Sequence, residues 1–448
     1  MASLFDIGKS GLQSYRQALS VTGQNIANIN TDGYKRREAT LEEVAGSQGG
    51  VTSVATQSGL GVRVTDIRRS FDEFLLNKTR SATAYAQTST SYLSAIEQLE
   101  NLLLPGDSNL GNALNTFFGG LNEVSAAPSD LSPRVVAMEQ GRMLAGTFNQ
   151  LSATLKELQA GVVSQTNQKM AELNILTGDL VELNKKLSGN DATKAQNSLL
   201  DARDNLLDQI SEYAEVAVTL QKSGKATVNL GKGSTGPVLV TGDQQTTLGA
   251  EELDMVIGFR LNPNTDNIPT SQMTNGSLRG LADAYQLVTK TIEDIDNLAY
   301  KFARDVNMVH RGGLDLDGLA GGDMFAAVKP VATVAANNRG TSAATIAVSN
   351  ASLIEPDKIT FIYNDTTAKW TGRNERGSIV ASGAKTIDLP GASITFSAGA
   401  KDGDEFVYTT AKGAAASITM TLQRAQEIAA ASTQLVYADS ANNSTASI

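Results

Sequence analysis

The residues of this chain that are able to do chemistry are few, and their spacing favours structural roles. The chain has no cysteine and a single histidine, His310. Disulfides, thiolate metal sites and cysteine nucleophiles are therefore excluded, and any histidine base must be this one residue. His310 follows a helical pattern that reaches Val309, where a histidine suits a helix C-terminus. We interpret it as structural, and we predict no catalytic residue.

A group of spaced carboxylates is a second candidate for catalytic chemistry. Asp201, Asp204 and Asp208 recur at spacings of three and four residues, with Arg203 among them. Paired acids at such spacing are able to support glycosidic hydrolysis, but ion pairs on a helix surface explain the pattern more simply. We therefore predict that these residues form surface ion pairs.

Three further segments only partly match ligand-binding loops. Asp315, Asp317 and Asp323 approach calcium-loop spacing, but the third carboxylate and the closing glutamate are missing at the expected positions. Residues 8–10 (GKS) lack the earlier glycine of a phosphate-binding loop, and residues 231–236 lie between strand-like runs, as in a hairpin turn. We predict turns here, with no cofactor and no metal.

Composition points away from several classes of protein. The 448 residues carry a formal charge of −10, and aromatic residues make up 5% against 41% hydrophobic residues. An acidic chain is a poor partner for nucleic acid, and an aliphatic composition suits a packed scaffold better than aromatic-lined ligand pockets. The first ten residues are mixed in character and do not match a secretory signal peptide, and no apolar run reaches about 18 residues. We predict neither nucleic-acid binding nor membrane insertion.

The elements that position these residues begin with an amphipathic N-terminal helix. Its apolar positions are spaced by three and four residues and comprise Leu4, Gly8, Leu12, Tyr15, Leu19, Thr22, Ile26 and Ile29. The helix is expected to end at residues 30–33, where Gly33 suits a left-handed C-terminus. Residues 39–68 read as extended, with two short strands about a glycine turn within 51–67. The helical partner of this face must therefore come from far along the chain or from another chain.

Further helices and strands follow along the chain. Apolar periodicity predicts helices over 85–103, 112–124, 144–187, 198–216 and 281–309. The third of these is a rod of about 65 Å. Alternating runs predict a small antiparallel sheet at about 216–275 and an all-β region beyond Pro330. The predicted class is α+β multidomain: residues 1–82 form an N-terminal segment, 83–330 a long coiled-coil-like helical bundle with the β insertion, and 331–448 an outer all-β domain.

The N-terminal sequence carries a recognisable motif. Residues 10–43 contain Gly11-Leu12, Ala18-Leu19, the run Asn25-Ile26-Ala27-Asn28, and Asn30-Thr31 followed by Gly33-Tyr34. This stretch, with residues 58–80, resembles the N-terminal signature of the axial proteins of the bacterial flagellum, namely rod, hook and hook-associated proteins. The resemblance implies a polymer interface at Leu12, Tyr15, Leu19, Ile26 and Ile29. It implies a shaping turn formed by Asn25, Asn28, Asn30, Thr31, Gly33 and Tyr34.

The middle of the chain narrows the resemblance. Residues 199–211, 275–284 and 298–325 are similar to the FlgK family of hook-associated proteins, which join hook to filament. Membership implies a structural component of the flagellum that is not an enzyme and that self-associates in a tube. It also implies contact with hook protein and with the second junction protein, an extracellular location, and export by the flagellar type III system without a cleaved signal peptide.

One departure from that family produces further expectations. In these proteins a C-terminal helix pairs with the N-terminal one, and no such helix is apparent after Thr433. We therefore expect a truncated chain, with an N-terminal segment that is disordered or docked on a neighbouring chain, and with its export chaperone bound through the missing region. Alternatives are another axial protein such as hook protein, a surface adhesin, or a cell-wall hydrolase housed in residues 331–448 and restricted to carboxylate chemistry.

Overall fold

The computed structural model describes residues 4–31, 33–44, 61–104, 109–188, 196–253, 256–261, 267–268, 272–335, 338–355 and 357–432. The described residues form two compact units. The first contains those of 1–95 and 162–285, and the second contains those of 96–161 and 286–448. The predicted tail beyond Thr433 and the first strand expected within 51–60 lie outside the described residues, and the predicted three-part division stays a prediction.

The N-terminal segment is a helix followed by a two-stranded antiparallel sheet. Helix α1 spans Leu4–Ala27, strand β1 spans Arg37–Glu43 and strand β2 spans Val62–Arg69. Strand β2 occupies the second of the predicted strand positions, and its partner is β1, in a register that places Arg37 opposite Arg69. The expected helix end at residues 30–33 is close, since hydrogen-bonded turns follow Ala27.

Five further long helices lie in the described residues. None of the described helices combines the length and apolarity needed to cross a bilayer. The five are α2 (Glu73–Leu103), α3 (Leu110–Ala126), α4 (Leu131–Ser188), α5 (Gln196–Tyr213) and α6 (Ser277–Arg311). All were predicted, but α2 begins twelve residues before its predicted start. Its first turns carry Phe74, Leu75 and Leu76 in one consecutive run instead of at helical spacing, and they bury Arg80 against Asp208 at 2.7 Å.

Helix α4 is longer than the apolar pattern indicated. Its 58 residues correspond to about 87 Å rather than the predicted 65 Å. Pro133 lies in the first turn, where its missing N–H is not needed, and Asp130 accepts a hydrogen bond from the Ser132 N–H at 2.9 Å. The polar interruption at Thr166 is harmless because its buried hydroxyl donates to the Val162 carbonyl at 2.8 Å.

The inserted β region forms two small antiparallel sheets rather than the single one predicted. One contains β3 (Val216–Leu220), β4 (Ala226–Leu230), β5 (Val238–Thr241) and β6 (Gln244–Gln245), and the other β7 (Leu248–Leu253), β8 (Val256–Leu261) and β9 (Asn267–Ile268). Residues 231–236 connect β4 to β5, which confirms the hairpin turn. Both sheets pack with α4, α5 and the start of α6 around one core that includes Leu180, Leu207 and Val228.

The second unit carries the larger β region, which confirms the α+β class. A five-stranded sheet has the order β11 (Val331–Val334), β18 (Glu405–Thr409), β13 (Lys358–Asn364), β14 (Lys369–Asn374) and β15 (Ile379–Gly383). A three-stranded sheet has the order β12 (Ala344–Val348), β17 (Ala392–Phe396) and β16 (Thr386–Leu389). Their shared core is aromatic, with Trp370 stacked on Phe396 at 4.2 Å between ring centroids.

The expected all-β region does not continue through the end of the chain, because the strands of the five-stranded and three-stranded sheets end at Thr409. Residues 411–428 include the short helix α7 (Ala414–Ser417) and return to the helices of the same unit. There Ala414, Ile418 and Leu422 pack in the core formed by Phe117, Phe148 and Phe325. Strand β19 (Ala431–Ser432) then pairs with β10 (Gly313–Leu314), which follows α6, so the last described residues lie outside the five-stranded and three-stranded sheets.

Candidate assembly site on the N-terminal segment

The five residues predicted to form a polymer interface lie along one face of α1 and the turn that follows it. Leu12, Tyr15, Leu19, Ile26 and Ile29 are each between 63% and 79% exposed, and Leu4 and Phe5 extend the same exposed apolar surface. We call this surface the apolar stripe. A contiguous stripe of this kind is typical of a contact surface for another protein.

A different face of α1 packs on the chain's own hairpin. Ser14 and Val21 are buried there, and the Ser14 hydroxyl donates to the Val62 carbonyl at 2.9 Å. The Ser10 hydroxyl oxygen accepts a hydrogen bond from the Val62 N–H at 3.2 Å. The expectation of disorder is therefore wrong for α1, because polar side chains hold this helix on β2. Docking of the stripe on a neighbouring chain stays a prediction.

The motif residues after α1 form a compact, hydrogen-bonded turn. The Thr31 N–H donates to the Asn28 carbonyl at 3.0 Å, and the Thr31 hydroxyl donates to Asn28 Oδ1 at 3.2 Å. The Tyr34 N–H donates to the Thr31 carbonyl at 3.2 Å, and Gly33 adopts a φ of +77°, a left-handed conformation that favours glycine. Asn30 lies exposed within the turn.

Asn25 fastens this turn to the start of β1. Its amide Nδ2 donates to the Arg37 carbonyl at 2.8 Å, while its Oδ1 accepts from the Arg37 N–H at 2.9 Å and from the Tyr34 hydroxyl at 2.8 Å. One side chain thus uses three hydrogen bonds to fix the angle at which the chain leaves α1. A groove of about 630 Å³ lies between this end of α1 and β1, with Val21, Ile26 and Tyr34 among its lining residues.

Two of the three carboxylates of α5, Asp201 and Asp204, bind the hairpin, which corrects their predicted role as surface ion pairs. Asp201 Oδ2 accepts from Arg37 at 3.1 Å and its Oδ1 accepts from Arg69 at 2.7 Å. Asp204 Oδ2 accepts from the same Arg69 at 2.9 Å. Asp201 and Asp204 are buried, so these are interior ion pairs across more than 130 residues of sequence.

The other charged residues of α5 complete this cluster. Arg203 is buried beside Asp204, with 2.6 Å between guanidinium and carboxylate, and Arg80 of α2 binds Asp208 at 2.7 Å. Burial lowers the pKa of Arg203, and the Asp204 carboxylate opposes that change. Sequence reasoning missed Arg37, Arg69 and Arg80. The sequence shows no sign of these pairs beyond basic residues near the N-terminus and the spaced acids of α5.

The remaining candidates have structural roles. The Ala429 N–H donates to His310 Nε2 at 2.8 Å, and His310 Nδ1 lies 2.8 Å from the Gly322 carbonyl, so the ring joins two backbone segments. Asp315 Oδ1 accepts from two backbone N–H groups of its own turn. Residues 8–10 lie inside α1. Within the described residues, no group of three or more histidine, aspartate or glutamate side chains is arranged to hold a metal ion.

Comparison with known proteins gives consistent matches. The model of the flagellar hook-associated protein FlgK helical domain matches residues 96–325, and that of the flagella basal body rod protein matches residues 5–35. Flagellar hook-associated protein 1 of Bacillus subtilis is 29% identical over 350 residues, covering 71% of this chain and 69% of the relative. The protein of the same name from Salmonella typhimurium is 26% identical over 446 residues, covering 96% and 79%.

A solved structure supports the fold. The flagellar hook junction protein FlgK from Burkholderia pseudomallei aligns with a TM-score of 0.68 at 24% identity, covering 80% of this chain and 66% of that chain. The helical-domain match alone extends over more than half of the sequence and includes α3, α4, α5 and α6. The chain therefore belongs to the FlgK family of flagellar hook-associated proteins.

Proposed function

We propose that this chain is a structural adaptor of the bacterial flagellum that polymerises at the junction between hook and filament. The observation that carries the proposal is the apolar stripe of α1. Its side chains are left exposed, although the hairpin-facing side of the same helix is packed and hydrogen-bonded. Leaving a row of aliphatic side chains in water costs free energy, which contact with another subunit recovers.

The relatives indicate the setting of that contact. Their names place them among hook-associated proteins, and the Burkholderia protein is described as a hook junction protein. By similarity, we propose that this chain self-associates in a tubular assembly, with hook protein on one side and the second junction protein on the other. Another axial role, such as that of hook protein, is less well supported because the matched helical domain is that of FlgK.

Export and location follow from the same proposal. A subunit of an extracellular appendage must leave the cell, and we propose that it does so through the flagellar type III system, without a cleaved signal peptide. We further propose that an export chaperone binds the chain before assembly. The mechanism of the assembled protein is mechanical and not enzymatic, in keeping with a single histidine whose two ring nitrogens both contact backbone groups.

Gene deletion and complementation test the proposal. Deleting the gene from the source strain is expected to leave hooks that carry no attached filaments, and returning the chain on a plasmid is expected to restore filaments. The attached filaments are counted by electron microscopy of the appendages. Normal filaments in the deletion strain would contradict the junction role. A cell-wall hydrolase would instead be revealed by peptidoglycan cleavage by the purified chain.

A further inference from the structure

We infer that helix α5 is the docking site that sets the orientation of the assembly segment, and that Arg37 is the positioning residue that joins the two. The assembly segment is defined here as α1, the turn after it, β1 and β2. The inference deepens the proposed function and rests on it. It assigns an orienting role to Asp201 and Asp204 of α5.

Arg37 links the stripe-bearing helix to α5 through two independent sets of bonds. Its backbone N–H and carbonyl both pair with the Asn25 side chain at the end of α1, at 2.9 and 2.8 Å. Its guanidinium donates to Asp201 of α5 at 3.1 Å and lies 5.1 Å from the centre of the Tyr34 ring. Movement of α1 relative to α5 must therefore break contacts of this one residue.

The register of the hairpin makes docking specific. Arg37 and Arg69 lie directly opposite each other on β1 and β2, and like charges in that position repel. Asp201 accepts from both guanidinium groups, one on each carboxylate oxygen, and Asp204 accepts from Arg69 as well. The repulsion between Arg37 and Arg69 is therefore neutralised only while the hairpin lies on α5.

The burial of this cluster indicates that it fixes the orientation of the packed elements more than it adds to the free energy of unfolding. The side chains of Arg69 and Asp204 are 6% and 1% exposed. Buried ion pairs gain little net free energy over apolar packing, but they tolerate few alternative arrangements, since breaking one leaves an uncompensated charge. A cluster of this type is suited to fixing one orientation of two packed elements.

Neutral contacts on either side of the cluster extend the docking surface. Asn197 at the start of α5 donates to the Ile67 carbonyl of β2 at 2.7 Å. At the other side, a Cβ on Gly33 would lie 3.2 Å from the Asn205 Cβ, so the motif turn approaches α5 closely. The motif turn, β1 and β2 all contact the same helix, and the apolar stripe is consequently presented in a fixed direction relative to α5.

A distance measurement on the full chain tests this inference. The chain has no cysteine, so spin labels at Lys9→Cys on α1 and Glu212→Cys on α5, both exposed positions, report one distance without background. A narrow distance distribution is expected in the otherwise unchanged chain. Arg37→Gln and Asp201→Asn are expected to broaden it at least twofold, and Arg37→Lys, which keeps the charge but not the planar fork, is expected to be intermediate.

A matched control separates docking from general loss of charge. Arg63→Gln breaks the Arg63–Glu42 pair of the same hairpin, whose side chains are 64% and 60% exposed. It is expected to leave the distribution unchanged. The thermal unfolding midpoint, followed by circular dichroism, identifies any variant that has lost its fold. If Arg37→Gln and Asp201→Asn both fold and keep the narrow distribution, the inference is wrong.

A second readout connects orientation to assembly. In the deletion strain, Arg37→Gln and Asp201→Asn are expected to restore at least tenfold fewer filaments than the unchanged chain. Broad distances together with normal filament numbers would overturn the assembly role of docking. If the unchanged chain restores no filaments, the proposed function fails instead, while the distance measurement still decides whether α5 orients the segment.

Discussion

Replacing Ile26 with aspartate is expected to block assembly while leaving the free chain folded. Ile26 is 68% exposed, so the free chain loses little packing, and a negative charge in the last turn of α1 costs less than about 1 kcal/mol. At an assembled interface the lost apolar burial amounts to about 1 to 2 kcal/mol, and an unpaired carboxylate there adds at least about 2 to 3 kcal/mol. The combined change of about 4 kcal/mol is a factor of about a thousand at each contact.

The assay counts filaments in the deletion strain and compares them with the unfolding midpoint of the purified variant. Ser20→Asp is the matched control, since it adds the same charge to the same helix about a third of a turn away from the stripe, at an exposed position. It is expected to support assembly. If Ile26→Asp assembles normally, or if Ser20→Asp is equally defective, the stripe is not the contact surface and the reasoning fails.

Three further substitutions test individual parts of the fold. Gly33→Ala is expected to cost about 1 to 2 kcal/mol in urea unfolding because of its φ of +77°, and a neutral result would contradict the tight turn. Burial alone would raise the pKa of Asp404, but hydrogen bonds from three backbone N–H groups bring it below the usual value. The stability from this carboxylate should therefore be present above about pH 4 and be lost below it, and Asp404→Asn should flatten that loss in unfolding measured from pH 2 to 6. His310→Ala leaves the Ala429 N–H and the Gly322 carbonyl without their partner, so faster hydrogen exchange at Ala429 is expected, and unchanged exchange would refute the role of the ring.

Apolar spacing was sufficient to predict most of the helices. Helices α5 and α6 agree with their predicted ranges to within a few residues, because each buries a regular apolar stripe. Helix α5 buries it in the core of the first unit, and α6 contributes to that core up to Tyr285 and to a core of the second unit beyond it. The start of α2 was missed because its large apolar residues, Phe74 to Leu76, are consecutive and not spaced by three and four. The region beyond Pro330 was predicted only as all-β, without strand bounds. Strands such as β14 and β15 alternate weakly in sequence, although β14 supplies the central Trp370.

The contacts that orient the assembly segment could not be predicted from local sequence patterns. Asp201 and Arg69 are 132 residues apart, and each alone resembles an ordinary surface charge. Helical spacing correctly placed the acids on one helix but could not show that the helix turns them towards the hairpin. The motif turn was predicted from resemblance, and only the structure shows that Asn25 holds it through Arg37 and Tyr34.

The central claim is that the chain forms a junction between hook and filament, and immunogold labelling of sheared appendages tests it most directly. An antibody against residues 357–432, applied to intact appendages, is expected to label a single short zone between hook and filament. Mass spectrometry of the same appendages is expected to recover peptides from α1. Label distributed along the whole filament, or a chain found only in cell bodies, would contradict the account.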